Sequence, residues 1–348
     1  MAQNLATSER RLRRVARVTW VSAYLVVLAG SVVRMTGSGM GCPDWPQCFG
    51  LTIPPTEVAQ VTWTPGEHYA EGRMLVADDT LWVVQRDLQA AEFAAARAAG
   101  GIAPYTKHDY AVFNPLHTWV EFINRLIGAF TGLPALLFLT LSTVHGFRHR
   151  RWRPFFTAVW TVFMLGFAAW LGKKVVDGNL IPGSITLHMV GALAILVGLM
   201  WYLADSLRRE RPVRADMRRG WLVAAAVLGA GQLVFGTQVR EAIDGLSHAG
   251  VLRSDWVDAL PAWWKAHRSA SWAILLVNAG WALPLLREPA HPARKAALVV
   301  AAVLLTQIGS GIVLAYAGMP APAQPLHLLL GMGLVLANVW ALFRFNRA

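Results

Sequence analysis

Residues 187–201 read LHMVGALAILVGLMW, an apolar run with His188 near its start and a tryptophan thirteen residues after this histidine. Residues 326–340 read LHLLLGMGLVLANVW and repeat the pattern from His327. Apolar runs of this kind are typical of membrane-spanning helices, which need roughly 20 residues to cross the hydrocarbon core. An ionisable ring inside such a helix is costly and usually has a function. The repeat therefore predicts a duplicated membrane protein with a functional histidine in each half.

The composition of the whole chain agrees with this interpretation. Hydrophobic residues make up 55% of the 348 positions and charged residues 15%, and the mean hydropathy of +0.41 is outside the usual range of soluble proteins. Eight apolar runs have helical periodicity and are too long for barrel strands, which alternate over about 10 residues. The runs cover residues 18–36, 118–144, 155–172, 185–205, 220–239, 268–286, 296–317 and 326–343. We therefore predict an all-α polytopic membrane protein with eight transmembrane helices.

The net charge of +12 follows the predicted topology. Basic clusters precede the first span, lie between spans two and three, four and five, and six and seven, and follow the eighth. They consist of Arg10, Arg11, Arg13, Arg14, Arg17, Arg148, Arg150, Arg151, Arg153, Arg208, Arg209, Arg211, Arg214, Arg218, Arg219, Arg287, Arg294, Lys295, Arg344 and Arg347. All clusters fall on one side, which the positive-inside rule assigns to the cytoplasm, with both termini there and the protein in the plasma membrane. This placement argues against a nucleic-acid partner. The first span lacks a following small-residue cleavage site and is predicted to be retained.

Four polar side chains are predicted near the outer ends of the even-numbered spans: Asn124, His188, His267 and His327. Asn124 precedes His188 by 64 residues and His267 precedes His327 by 60, so the two halves correspond. A lone histidine in such a place more often forms an interhelical hydrogen bond. The repeat favours haem ligation instead, since neutral imidazole is a common axial ligand of haem iron. We predict that His267 and His327 bind one haem iron.

Arginines close to these ligands predict contacts with haem propionates. Arg268 follows His267 directly, and Arg240 is predicted at the same outer surface. A guanidinium group forms paired hydrogen bonds with a carboxylate. The alternative interpretation is that these side chains extend to the membrane interface without a ligand.

The first half departs from the second at one position. Asn124 stands where the repeat predicts a histidine, and its amide is a poor iron ligand. Glu121 lies one turn earlier on the same helix face, and His117 lies a further turn back. The second site is therefore predicted to be bis-histidine and suited to electron transfer. The first is predicted to hold its haem through His188, with an open position beside a carboxylate; alternatively, His117 supplies the second ligand.

Residues 37–50 read GSGMGCPDWPQCFG and contain the only two cysteines of the chain, Cys42 and Cys48. The glycines and prolines favour a tight turn. On the oxidising face of a membrane, two cysteines separated by five residues can form a disulfide. A structural staple and a redox relay are both consistent with this spacing.

The outer loop over residues 52–112 carries weaker signals. Residues 83–99 are rich in alanine with scattered charges, which predicts one or two surface helices, either as a lid on the outer face or as a mobile linker. Residues 241–266 contain several tryptophans and are predicted to form an interfacial helix.

Several motifs together resemble the haem A synthase family. Residues 33–39, VRMTGSG, lead to CPDWP at 42–46 and resemble the family signature. Residues 121–125, EFINR, resemble its glutamate-x-x-histidine-arginine motif, with asparagine at the histidine position. The positions of the other family haem ligands are matched by His188, His267 and His327. The resemblance covers nearly the whole chain except residues 52–112.

The resemblance implies two pseudo-symmetric four-helix bundles and the oxidation of the C8 methyl group of haem O to a formyl group. The product would be haem A for cytochrome oxidase. The substrate haem would occupy the N-terminal bundle and a haem b cofactor the C-terminal bundle, both near the outer face. The corresponding boundaries are 1–17 for a cytoplasmic N-terminus, 18–205 for the first bundle with its outer loop over 37–116, 206–219 for a cytoplasmic linker, and 220–348 for the second bundle.

The resemblance also implies roles for single residues. Glu121 is the implied catalytic carboxylate, and Cys42 and Cys48 belong to the N-terminal site. The candidate propionate-binding residues are Arg34, Arg125, Arg240 and Arg268. Two routes to methyl oxidation stay open: an oxidant formed on the iron, or loss of electrons through haem b followed by addition of water. In the second route Glu121 would accept a proton or orient the water.

Implied partners are the substrate haem O, the haem O synthase that delivers it, membrane lipid, an electron partner and a second copy of the chain. The alternative function is a membrane b-type cytochrome that passes electrons without modifying a haem. Such a protein would need histidine pairs in both halves, and Asn124 beside Glu121 argues against it.

Overall fold

The computed structural model describes residues 2–106, 113–177, 183–210 and 218–345. Its helices are α1 (Ala2–Thr36), α2 (Phe93–Ala98), α3 (Pro115–His149), α4 (Arg153–Asp177), α5 (Ser184–Glu210), α6 (Arg219–His248), α7 (Trp256–Ala259), α8 (Trp264–Arg287), α9 (Arg294–Tyr316) and α10 (Ala323–Arg344). Eight of them are long and apolar enough to cross a membrane, and only the short α2 and α7 are not. The prediction of an all-α polytopic membrane protein with eight spans is therefore confirmed. Three predicted basic residues, Arg211, Arg214 and Arg347, and the end of the outer loop at 107–112 lie outside the described residues.

The chain divides into two compact units. The helical unit comprises Met1–Ser31, Gly128–Ala168 and Ile185–Ala348, and the loop unit comprises Val32–Ile127 and Ala169–Ser184. Helix α3 contributes its first part to the loop unit and the remainder to the helical unit. The pseudo-symmetry of two bundles and their boundaries stay predictions.

In the helical unit, α6, α8, α9 and α10 form a four-helix ring, in which α6 and α9 each pack against α8 and α10. Trp221 of α6 packs on Gly280 of α8, where a Cβ would lie 2.5 Å from the indole ring, and Gly236 of α6 packs on His267 near the start of α8. These pairs show that α6 and α8 are antiparallel. Gly229 and Leu233 of α6 likewise contact Val335 and Gly331 of α10, so α6 and α10 are also antiparallel. The starts of α8 and α10 therefore lie at the same end of the ring, which we call the histidine end.

A polar network joins α8 to α10 inside the ring. The Asn338 amide donates to Oδ1 of Asn278 over 3.0 Å, and the Trp281 indole donates to Oδ1 of Asn338 over 3.1 Å. All three side chains are buried, with at most 1% exposed. Because a buried polar group without a partner is costly, this network favours one register between the two helices.

Asn338→Leu is expected to weaken the ring by about 1–2 kcal/mol, since it leaves Asn278 and the Trp281 indole without their partner. Unfolding in mixed micelles measures this loss. The double variant with Asn278→Leu completes a mutant cycle and should recover part of the stability. Strictly additive effects of the two substitutions would contradict the coupling.

The loop unit contains a small β module where surface helices were predicted. Its strands are β1 (His68–Tyr69), β2 (Met74–Ala77), β3 (Thr80–Val84), β4 (Leu88–Gln89) and β5 (Ile102–Pro104). Strands β2, β3 and β5 form one antiparallel sheet in the order β2-β3-β5, and β1 pairs with β4.

Within residues 83–99, only the six residues of α2 are helical, so the prediction of one or two surface helices is wrong for most of this stretch. The physical reason is packing: Trp82 and Val84 are buried together with Tyr69 and Leu75 in the core of the module. In the stretch 241–266, α6 continues to His248, and a 3₁₀ turn and the four-residue α7 follow in place of one interfacial helix.

Candidate functional site

Two histidines lie at the histidine end of the four-helix ring. His267 is the fourth residue of α8 and His327 the fifth residue of α10. Each ring faces a glycine of a neighbouring helix: a Cβ would lie 3.2 Å from Cε1 of His267 at Gly236, and 3.1 Å from Cε1 of His327 at Gly311. Larger residues on α6 and α9 would therefore displace the imidazoles.

The hydrogen bonds of the two imidazoles differ. Nδ1 of His327 lies 2.9 Å from Oγ of Ser310, and its Nε2 lies 3.2 Å from Nε2 of Gln307. Nδ1 of His267 is buried and has no hydrogen-bond partner among the residues that the structure describes. The backbone carbonyl of His267 accepts a hydrogen bond of 2.6 Å from Gln232.

These side chains fit a haem iron. Both are imidazoles at the same level of one helical ring, each with a glycine in front of it, and one carries a buried nitrogen without a partner. Neutral imidazole supplies one lone pair to a metal, and a pair of imidazoles is a common axial ligand set. The assignment of His267 and His327 as iron ligands stays a prediction.

Two of the predicted propionate-binding arginines lie at the histidine end. Arg240 of α6 donates to Gln324 of α10 and forms an ion pair with Asp244. Arg268 donates to the Tyr316 hydroxyl over 3.2 Å, and its guanidinium lies 5.2 Å from the centroid of the Trp264 ring. These contacts hold both cations near the ligands.

In the loop unit, Cys42 and Cys48 form a disulfide, as the sequence allowed. Both cysteines are completely buried. Phe49, Val61 and Met74 pack around them in the same cluster. Burial favours the structural staple over the redox relay, because a thiolate from another protein cannot reach these sulfurs in the folded unit.

Glu121 binds the cysteine loop from α3. Its side chain is buried, with 4% exposed. One carboxylate oxygen accepts a 2.8 Å hydrogen bond from the backbone N–H of Cys42, and the other forms an ion pair with Arg125. Arg125 in turn donates to the carbonyl oxygens of Cys42, Asp44 and Gln47 over 3.3, 2.6 and 2.9 Å. Glu121 and Arg125 thus form a clamp on the loop.

Other contacts of the clamp were not found from the sequence. The Thr118 hydroxyl donates to the carbonyl of Gly41 over 2.7 Å. The Asp44 carboxylate accepts hydrogen bonds from the N–H groups of Phe49 and Gly50. Burial raises the pKa of Asp44, although these two N–H groups and the charge of Arg125 oppose the shift. The one feature of the sequence that could have indicated the clamp is the spacing of Glu121 and Arg125, which lie one helical turn apart.

Gly41→Ala is expected to open the cysteine loop. A Cβ at this position would lie 2.3 Å from the carbonyl oxygen of His117, so the loop must move away from α3 at a cost of about 1–3 kcal/mol. Faster reduction of the disulfide by a water-soluble phosphine, followed by alkylation and mass measurement, reports the opening. Gly132→Ala on α3, where no atom lies within 4 Å, is the matched control. Equal reduction rates in both variants would show that this contact does not hold the loop.

The remaining predicted residues fall in both units. His117 and Asn124 lie on α3 in the loop unit, and Nδ1 of the first and Oδ1 of the second are buried without a hydrogen-bond partner among the described residues. Arg34 lies in the last turn of α1, also in the loop unit. His188 lies on α5 in the helical unit, close in sequence to Thr186, whose hydroxyl is 2.6 Å from that of Thr237 on α6. The predicted substrate-haem site of these residues stays a prediction.

Comparison with known proteins places the chain in a family. The model of the family described as cytochrome oxidase assembly protein (COX15-CtaA) matches residues 13–73 and 85–339. A Shewanella oneidensis protein named Heme A synthase is 25% identical over 252 residues, which are 70% of this chain and 62% of that protein, less than two thirds of its length. Proteins of the same name from Rhodopseudomonas palustris and Erythrobacter litoralis are 27% and 24% identical over 329 and 354 residues. These matches cover 82% and 94% of this chain, and 78% and 95% of the two relatives. The chain belongs to the COX15-CtaA family of cytochrome oxidase assembly proteins.

Proposed function

We propose that this protein is a haem A synthase, which oxidises the C8 methyl group of haem O to a formyl group. The family match over most of the chain and the relatives named Heme A synthase support this function. The single structural observation that carries it is the pair of imidazoles, His267 and His327, at one end of a membrane helix ring with a glycine in front of each. In this proposal the protein uses one haem as a cofactor and a second haem, haem O, as its substrate.

In this proposal His267 and His327 hold haem b, which supplies electron transfer when bound. Arg240 and Arg268 lie at the same end of the ring and bind its propionates. Arg240 donates to the Gln324 side chain and Arg268 to the Tyr316 hydroxyl. Water or a propionate carboxylate can replace either of these acceptors. A site with two histidine ligands would be suited to electron transfer rather than to substrate exchange.

The substrate haem O is held by His188, with Asn124 or His117 on its opposite face. Conversion of a methyl to a formyl group with water as the oxygen source releases protons as well as electrons, so a base is needed near the substrate. Glu121 is the proposed base. Its oxygens accept hydrogen bonds from the Cys42 backbone and from Arg125. A carboxylate oxygen has a second lone pair, which leaves capacity for a water or a proton.

The proposal includes a location and partners. The basic clusters support a proposed orientation in the plasma membrane, with both termini in the cytoplasm and the histidine end near the outer face. A haem O synthase would deliver the substrate, an electron partner would take the released electrons, and a second copy of the chain is a further partner.

The function is tested by expressing the protein in a bacterial host that makes haem O but lacks a haem A synthase of its own. Extracted haems are separated by liquid chromatography and identified by mass. Haem A is expected with the protein and not with the empty vector. A haem-loaded protein that yields only haem b and unchanged haem O would instead show a b-type cytochrome that passes electrons.

A further inference from the structure

Ser310 is a buried residue of α9, with 8% of its surface exposed, and the sequence predicts no role for it. Its hydroxyl contacts two groups: the backbone carbonyl of Gln307 at 2.9 Å and Nδ1 of His327, also at 2.9 Å. We propose that Ser310 is a positioning residue that holds His327 in the tautomer with its proton on Nδ1, so that Nε2 offers its lone pair to an iron. This inference rests on the proposed haem site.

The argument follows from counting hydrogens. A serine hydroxyl has one hydrogen to donate. The carbonyl oxygen of Gln307 can only accept, so the hydroxyl hydrogen lies on that side. Towards His327 the Ser310 oxygen must therefore accept, and the donor in this contact is the Nδ1–H of the imidazole. A neutral imidazole with its proton on Nδ1 has its lone pair on Nε2.

A second contact agrees with this tautomer. Nε2 of Gln307 lies 3.2 Å from Nε2 of His327, and an amide nitrogen is a donor only. With the amide in this orientation, which leaves Oε1 of Gln307 buried without a hydrogen-bond partner among the described residues, the imidazole nitrogen that faces it accepts. Two hydrogen bonds, one to each ring nitrogen, thus assign the same proton position. An iron at Nε2 would take the place of the Gln307 amide.

The other predicted ligand has no comparable contact. Nδ1 of His267 is buried but has no hydrogen-bond partner within the described part of the chain. Metal-bound histidines are oriented and made more basic when their second nitrogen donates a hydrogen bond. The two ligands are therefore unequal: His327 is oriented in advance by Ser310, whereas the imidazole of His267 is positioned by packing against Gly236 and Phe235.

The consequence of losing Ser310 is a weaker and less basic ligand. Removal of such an outer hydrogen bond typically lowers metal affinity 10-fold or more. Ser310→Ala is expected to release haem about tenfold faster to excess apomyoglobin. Its haem is also expected to have a higher reduction potential, because a less basic imidazole stabilises ferric iron less.

The experiment compares three variants of the full-length, haem-loaded protein. Ser310→Thr keeps a hydroxyl and should restore the haem release rate and the potential. Thr306→Ala removes another α9 hydroxyl that bonds to its own helix, at the carbonyl of Ala302, and should change neither. The readouts are haem release and the midpoint potential, neither of which depends on turnover.

Three outcomes would overturn either the role of Ser310 or the haem site itself. Unchanged haem release and potential in Ser310→Ala, with loss of haem in His327→Ala, would refute the role of Ser310 and leave the haem site intact. Full haem retention in both His267→Ala and His327→Ala would refute the haem site of the proposed function itself. Equal effects of Ser310→Ala and Ser310→Thr would show that volume rather than the hydroxyl matters, which also refutes the proposal.

Discussion

If the proposed haem b site is correct, His267→Ala and His327→Ala are each expected to abolish the low-spin absorption of a haem held by two histidines. In the four-helix ring these imidazoles lie at the same end, on helices that begin there, and each occupies the space left by a glycine. Removal of either imidazole would remove one of the two proposed iron ligands, because within the described part of the chain the side chains that face Gly236 and Gly311 are these two histidines. Visible spectra of the purified reduced and oxidised protein, with a pyridine haemochrome assay for total haem, measure the loss.

The matched control is His248→Ala, an exposed histidine of α6 whose Nδ1 contacts the backbone carbonyl of Asp244. It should retain both the spectrum and the haem content. Comparable amounts of inserted protein in all three variants show that the spans are intact. Unchanged haem b in both ligand variants would mean that these histidines only join helices.

Glu121→Gln is expected to lower haem A formation at least about 100-fold while haem O remains bound, since general base catalysis contributes this much or more. The substitution preserves shape but removes the charge that pairs with Arg125. Haem extracts from a host that makes haem O give the ratio of haem A, any hydroxylated intermediate and haem O. Accumulation of the hydroxylated intermediate would indicate that Glu121 acts in a step that follows the first oxidation.

A second variant separates catalysis from loop binding, because Glu121 also holds the backbone of Cys42. Thr118→Val removes the hydroxyl that binds Gly41 and so loosens the same loop without touching the carboxylate. A small loss of haem A in Thr118→Val beside a large loss in Glu121→Gln supports the base. Equal losses in both variants, or near-normal output in Glu121→Gln, would reduce Glu121 to a residue of the clamp.

The sequence predicted those features that depend on local patterns. The eight spans follow from the lengths of the apolar runs, and the disulfide follows because Cys42 and Cys48 are the only cysteines. The β module was missed because its pairings, such as Met74 with Val83, join strands of a few residues whose stability comes from a shared core rather than from propensity.

Contacts between distant residues were also beyond the sequence. The clamp joins Glu121 to Cys42 across 79 positions, and no periodicity links a helix face to a loop so far away. The sequence around Ser310 does not indicate its contact with His327, which forms when α9 and α10 pack together in the ring. The motif EFINR identified the importance of Glu121 and Arg125 through resemblance but gave no indication that both residues bind the loop.

The completely buried disulfide has a consequence for how the protein matures. Both sulfurs are covered by side chains such as Met74 and Leu81, which belong to strands synthesised after the cysteines. A thiol oxidase must reach both sulfurs, so oxidation has to precede closure of the strands over the loop. Biogenesis therefore has a fixed order, with bond formation during or soon after synthesis of the loop unit. Cells without a disulfide-forming enzyme should accumulate inserted chains whose loop remains sensitive to protease.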